Sequence, residues 1–109
     1  GFGVYPLAQA QLGFKHMPKI RAAIRAGERL RITYHALDDT TTTRTVRPLQ
    51  IEYWGQVWTL STWCDLRDAF RAFRIDRISA CVRTGQMFKP ETGKTIQDYL
   101  NTIGTDRSN

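Results

Sequence analysis

Val57-Trp58-Thr59-Leu60-Ser61-Thr62-Trp63-Cys64 runs, after a short break, into Arg67, Arg71, Phe73, Arg74, Asp76, Arg77 and Ile78. The first run alternates as a strand does. Trp58 and Leu60 share one face, and Thr59, Ser61 and Trp63 share the other. A turn near Leu66 separates it from a second strand over Ala69–Ile75. The segment is dense in arginine, not lysine. A guanidinium is a planar fork that grips phosphate or carboxylate through two bonds and stacks on rings. Arginines beside aromatic strands suit an anionic, ring-containing ligand better than acid–base chemistry near neutral pH.

Working outward, Leu30, Ile32 and Tyr34 alternate with Arg31, Thr33 and His35 and predict a strand with one apolar face. Asp38-Asp39-Thr40 predicts a hairpin loop. Arg44, Val46 and Pro48 share the parity of the next strand, with Thr45, Arg47 and Leu49 opposite. Pro48 predicts an edge or a strand end. Tyr53-Trp54-Gly55-Gln56 predicts a turn, Asp76-Arg77 another, and Ser79–Thr84 a last strand. Five short strands with tight connections predict a strongly bent sheet or a small barrel.

Helical patterns flank these strands. Residues 17–26 predict a helix, with Pro18 in its first turn, Ile20, Ala23 and Ile24 on one face, and Gly27 at its end. Near the other end, Thr95 predicts a cap, Ile96, Tyr99, Leu100 and Ile103 a stripe, and Gly104 a stop. Residues 1–14 read as an apolar arm. Phe2, Val4, Tyr5, Leu7, Leu12 and Phe14 are more than a free arm would expose to water, so packing on this domain, a second copy or another domain is expected. Residues 105–109 read as a tail.

The 109 residues allow one domain with a modest core, and a hydrophobic fraction of 41% fits a folded one. A net charge of +6 favours a polyanionic partner. No apolar run approaches the ~20 residues that span a bilayer. The start lacks a signal-peptide pattern, and a cytoplasmic protein is expected. The chain opens without Met, as a fragment or a tag remnant would. Cys64 and Cys81 allow one disulfide, but two reduced thiols are the expectation.

No metal, cofactor or catalysis is expected. His16 and His35 do not stand at ligand spacing with the two cysteines, and no Cys-x-x-Cys occurs. No phosphate-cradling or dinucleotide fingerprint exists either.

Taken in order, Tyr34, Arg44, Val46, Pro48-Leu49, Trp58-Thr59-Leu60, Cys64, Arg67, Arg71, Phe73-Arg74 and Asp76-Arg77-Ile78 resemble the WYL domain of bacterial transcriptional regulators. The resemblance runs from about Pro18 to Leu100. One departure is plain: Thr59 stands where the signature has its tyrosine. The resemblance implies an Sm-like (SH3-like) five-stranded barrel with flanking helices, so a mainly β fold. Between the arm over 1–14 and the tail over 105–109, residues 15–104 are then expected to be the ligand-sensing domain. It also implies an effector sensor coupled to a helix-turn-helix that reads operator DNA and is not visible in this chain. The effector is expected to be anionic, a nucleotide or single-stranded DNA. A homodimer is expected, since readers of two-fold operators are commonly two-fold.

Arg67, Arg71 and Arg74 head the expected ligand contacts, with Arg44, Thr59, Ser61, Trp63 and His35 after them. Arg71 and Arg74 have opposite parity. One is expected to reach ligand while the other ties down a turn through Asp65, Asp68 or Asp76. Trp63 suits either a stacking platform or a cover on the barrel end. The alternative readings are a stand-alone single-stranded nucleic-acid-binding module and a protein-interaction or dimerisation domain.

Overall fold

The structure, a computed structural model, describes residues 4–108, with side chains described for 14–104. Helix α1 (Val4–Ala26) is followed by strands β1 (Glu28–His35), β2 (Thr41–Tyr53), β3 (Trp58–Cys64) and β4 (Ala69–Arg74). A single 3-10 turn (Ile75–Arg77) then leads into strand β5 (Ile78–Met87), and helix α2 (Ile96–Ser108) closes the order. The strands form one antiparallel sheet in the order β4-β3-β2-β1-β5.

The sheet is bent at its centre. β2 pairs with β1 through Thr41–Val46 and with β3 through Arg47–Tyr53. The change of partner coincides with a register shift between Pro48 and Gln50. Pro48 was expected at an edge or a strand end. It lies instead inside a 13-residue central strand, fully buried. Proline has no N–H to give the ladder, and a bulge is where a sheet interior tolerates that loss. The bend brings β1 and β4, which are not neighbours in the sheet, into contact: Tyr34 meets Phe73. The sheet remains open, with β4 and β5 as its edges, so the expected barrel is not closed. α1 packs mainly on β5 and the 3-10 turn, at the junction between those two edges.

The core fills the inside of the bend. Ile20, Ala23, Leu30, Ile32, Val46, Leu60, Ile75 and Ile78 are buried, and Ile24, Ile51 and Trp58 pack against them. Each fully buried aliphatic chain contributes about 1.5–3 kcal/mol. The alternating β1 pattern is what delivers Leu30 and Ile32 to this core.

The helices differ from expectation at their ends. α1 extends back to Val4, so Pro18 lies inside it and exposed, not in its first turn, and the boundary drawn at residue 14 falls within the helix. Proline within a helix forfeits one backbone bond. The burial of His16, Met17, Ile20 and Ala23 against the sheet offsets that loss. The expected packing of the arm's side chains through residue 13 lies outside the described residues; Phe14 is half-exposed. Gly27, at φ +69°, ends α1 in the left-handed conformation. Thr95 caps α2 reciprocally: its hydroxyl accepts the Asp98 N–H at 3.1 Å, while the Asp98 carboxylate accepts from Thr95. Gly104 does not stop this helix, which continues to Ser108.

Candidate functional site

The β3–β4 ladder runs without a break: Thr59 faces Arg74, Leu60 faces Phe73, Ser61 faces Ala72 and Thr62 faces Arg71. Arg71 therefore shares the core-side face with Leu60 and Phe73. Arg74 shares the other face with Thr59 and Ser61. The two arginines have separate surroundings and separate fates.

Arg74 is engaged. Its Nε donates to Asp76 at 3.1 Å and its Nη2 at 2.7 Å, a two-pronged pair that ties the strand end to the 3-10 turn. Its backbone N–H donates to the Tyr34 hydroxyl at 3.2 Å. Arg71 is half-buried, and its guanidinium lies 5.9 Å from the centroid of the Phe73 ring. Among the described residues no carboxylate pairs with it.

Arg44 stands opposite Ile32 on the β1–β2 ladder, so it shares the face of Ile32, Val46 and Tyr34. It is the diagonal neighbour of Tyr34. Arg44 is half-buried and also has no ion-pair partner among the described residues. A line of groups thus runs Arg44, Tyr34, Phe73, Arg71, from β2 through β1 to β4. Its centre is an aromatic pair with ring centroids 5.0 Å apart. Two guanidiniums without counter-ions, partly withdrawn from water, flank two rings. A half-buried unpaired charge is costly and gains much from an anion.

The remaining expected residues lie elsewhere. Arg67 is exposed on the β3–β4 turn beside Leu66, and no described group pairs with it. His35 is exposed at the end of β1, where its ring nitrogens meet Thr41 at 3.2 Å and Asp39 at 3.3 Å. The Thr59 hydroxyl accepts the Trp54 indole N–H at 2.8 Å. Ser61 is buried and donates its hydroxyl to Glu52. Trp63 is 7% exposed, covered by Phe70 and by the Lys94 ammonium 5.4 Å from its ring. α2 adds Tyr99 against Phe70.

A residue that the sequence did not single out proves central to a second cluster. Arg47 is buried and pairs with Asp65 at 2.8 Å and with Glu91 at 3.0 Å. Asp65 also accepts from Arg29, and Glu91 from Lys94. Burial alone would raise the Asp65 pKa, but bonds from Arg47 and Arg29 outweigh it and hold the carboxyl below its ordinary range. Hydrogen bonds from Lys94 and Arg47 do the same for Glu91. Nothing in the sequence near Arg47 marks it, since both its partners are distant in the chain. Among the described residues no group of histidine, cysteine and carboxylate side chains could hold a metal. No described helix is long and apolar enough to cross a membrane.

The WYL domain family model matches residues 15–82. Among solved structures, the chain is similar to the Proteasome accessory factor B/C (PafBC) of Arthrobacter aurescens, with 29% sequence identity and a TM-score of 0.66 over 71% of this chain. The chain corresponds to 12% of that longer protein. No curated protein matches the chain.

Proposed function

The chain belongs to the WYL domain family, and from that premise we propose that it is the effector-sensing portion of a bacterial transcriptional regulator. In this reading it binds an anionic, ring-containing effector, a nucleotide or single-stranded nucleic acid, and is not an enzyme. The observation that carries the reading is the pair of half-buried, unpaired guanidiniums, Arg44 and Arg71, on either side of Tyr34 and Phe73. Phosphate meets the arginines, and a base or sugar meets the rings. The bent five-stranded sheet is read as an opened Sm-like barrel, with the binding face at the rim of its core, where Arg44 and Arg71 are half-buried.

Sensing requires the effector to favour one of two conformations. Tyr34 supplies a path: it touches Phe73 through its ring and the Arg74 backbone through its hydroxyl. Arg74 in turn holds Asp76 in the turn against which α1 packs. An effector that shifts Tyr34 and Phe73 acts on α1, and through it on a helix-turn-helix elsewhere in the regulator. The whole regulator is proposed to be a cytoplasmic homodimer on operator DNA.

The test is binding of the chain to a short labelled single-stranded oligonucleotide at rising salt, with mononucleotides as competitors. Phosphate contacts require affinity to fall steeply with salt. Saturable but salt-insensitive binding, or no binding to either ligand, would contradict the reading.

A further inference from the structure

Residues 88–96, beyond the stretch matched by the family model, close a cleft of about 350 Å³. Its other walls are the end of α1 and the bulged centre of β2. Arg44, Tyr34, Phe73 and Arg71 are not among the residues that line this cleft, so it is separate from the face they form. Gly27 fixes the junction: the Phe88 N–H donates to the Gly27 carbonyl at 2.7 Å, and a Cβ on Gly27 would stand 2.8 Å from the Phe88 oxygen. Segment and helix end are therefore held in close register.

The lining is divided in character. Ile24, Pro48, Phe88 and Ile96 offer apolar surface. Arg25, Lys89 and Lys94 stand around it, and Arg47 is fixed at its back, over the Phe88 ring. The charges are not balanced. Asp65 and Glu91 answer Arg29, Arg47 and Lys94. Arg25 and Lys89 add two more cations that have no ion-pair partner among the described residues. The carbonyl end of a helix repels anions, but two of its oxygens are already used: Ile24 accepts the Gly27 N–H, and Gly27 accepts from Phe88. Volume, apolar walls and a few placed charges are what a small-molecule site requires.

We propose that this cleft binds a small organic anion with an apolar body, its acid group between Arg25, Lys89 and Lys94 and its body against Ile24, Pro48 and Phe88. Carboxylate and phosphate head groups share the chemistry. The site is separate from the Arg44–Arg71 face, and the two can be occupied independently.

The experiment is a two-dimensional amide NMR titration of the 109-residue chain with phenylacetate and, separately, phenyl phosphate. Phenethyl alcohol tests the body without the charge, and inorganic phosphate the charge without the body. Saturable shifts at Gly27, Phe88 and Thr95 are expected for the two aryl anions, and the stronger of them names the head group. The alcohol, which loses the charge-assisted bonds, and inorganic phosphate, which loses the burial of the apolar body, should each bind at least about tenfold more weakly. The exposed double variant Arg25→Gln/Lys89→Gln should lose about tenfold for both anions. Equal binding of the alcohol, an unaffected double variant, or no saturable shift at these residues would overturn the proposal. Shifts at the cleft on raising protein concentration alone would assign it to a second copy of the chain and overturn it equally.

Discussion

Tyr34 meets Phe73 edge to face, with ring centroids 5.0 Å apart and an interplanar angle of 71°. The two residues lie on β1 and β4, separated in the sheet by β2 and β3. Their contact therefore closes the bend. Phe73→Ala should cost about 3–5 kcal/mol, as loss of a buried aromatic side chain does. Tyr34→Phe keeps the ring but removes the acceptor of the Arg74 N–H, and should cost about 0.5–1.5 kcal/mol. Urea unfolding of both variants checks this. A Phe73→Ala midpoint equal to the parent's would mean that the bend does not depend on the pair.

Gly27 and Gly55 both have positive φ, +69° and +85°, but their surroundings differ. A Cβ at Gly27 would stand 2.8 Å from the Phe88 oxygen, whereas one at Gly55 meets nothing within 4 Å. Gly55→Ala should cost about 1 kcal/mol, from left-handed strain alone. Gly27→Ala adds the clash and should cost about 2–3 kcal/mol. Thermal unfolding of the two variants side by side gives the comparison. Equal losses would remove the clamp between the helix end and residues 88–96.

Acid should weaken the fold in two stages. Burial holds the His16 pKa below its usual 6.5, aided by Lys19 and Lys15 and opposed by a hydrogen bond to the Ser79 backbone. As pH falls through 6.5 the unfolded chain takes up this proton before the folded one, so stability drops. Asp65 and Glu91, whose folded pKa values are depressed, hold their contribution above the ordinary carboxylate range and lose it only below that range. Melting temperatures between roughly pH 5 and pH 8 should therefore fall towards acid in the parent and stay flatter in His16→Gln. Parallel curves would remove His16 as the cause.

Much of this architecture was legible because alternation is local. Leu30, Ile32 and Tyr34 announced β1, Trp58 and Leu60 announced β3, and Thr95 announced its own cap. Pro48 misled because a bulge depends on two partner strands, which the sequence does not display. The start of α1 misled because Pro18 is a good first-turn residue, whereas its neighbours' burial is a tertiary matter. In the site, the opposite parity of Arg71 and Arg74 was readable, and Asp76 was among the partners open to Arg74. The Ser61 hydroxyl looked free because its acceptor, Glu52, arrives diagonally from β2. The closing of Trp63 depends on Lys94 and Phe70, and Arg47 on Asp65 and Glu91. Such partners come from packing, not from spacing.

The central claim is that Arg44 and Arg71, not the exposed Arg67, receive the effector's charge. The most direct measurement is the affinity of a labelled single-stranded oligonucleotide for the parent chain, Arg44→Ala, Arg71→Ala and Arg67→Ala at one fixed salt concentration. Arg44→Ala and Arg71→Ala should each lose about 1.5–3 kcal/mol, the worth of a hydrogen bond to a charged group. Arg67→Ala should lose no more than a few tenths, as a solvated charge does. A folded Arg44→Ala/Arg71→Ala double variant that binds as tightly as the parent, or an Arg67→Ala loss as large as theirs, would contradict the account.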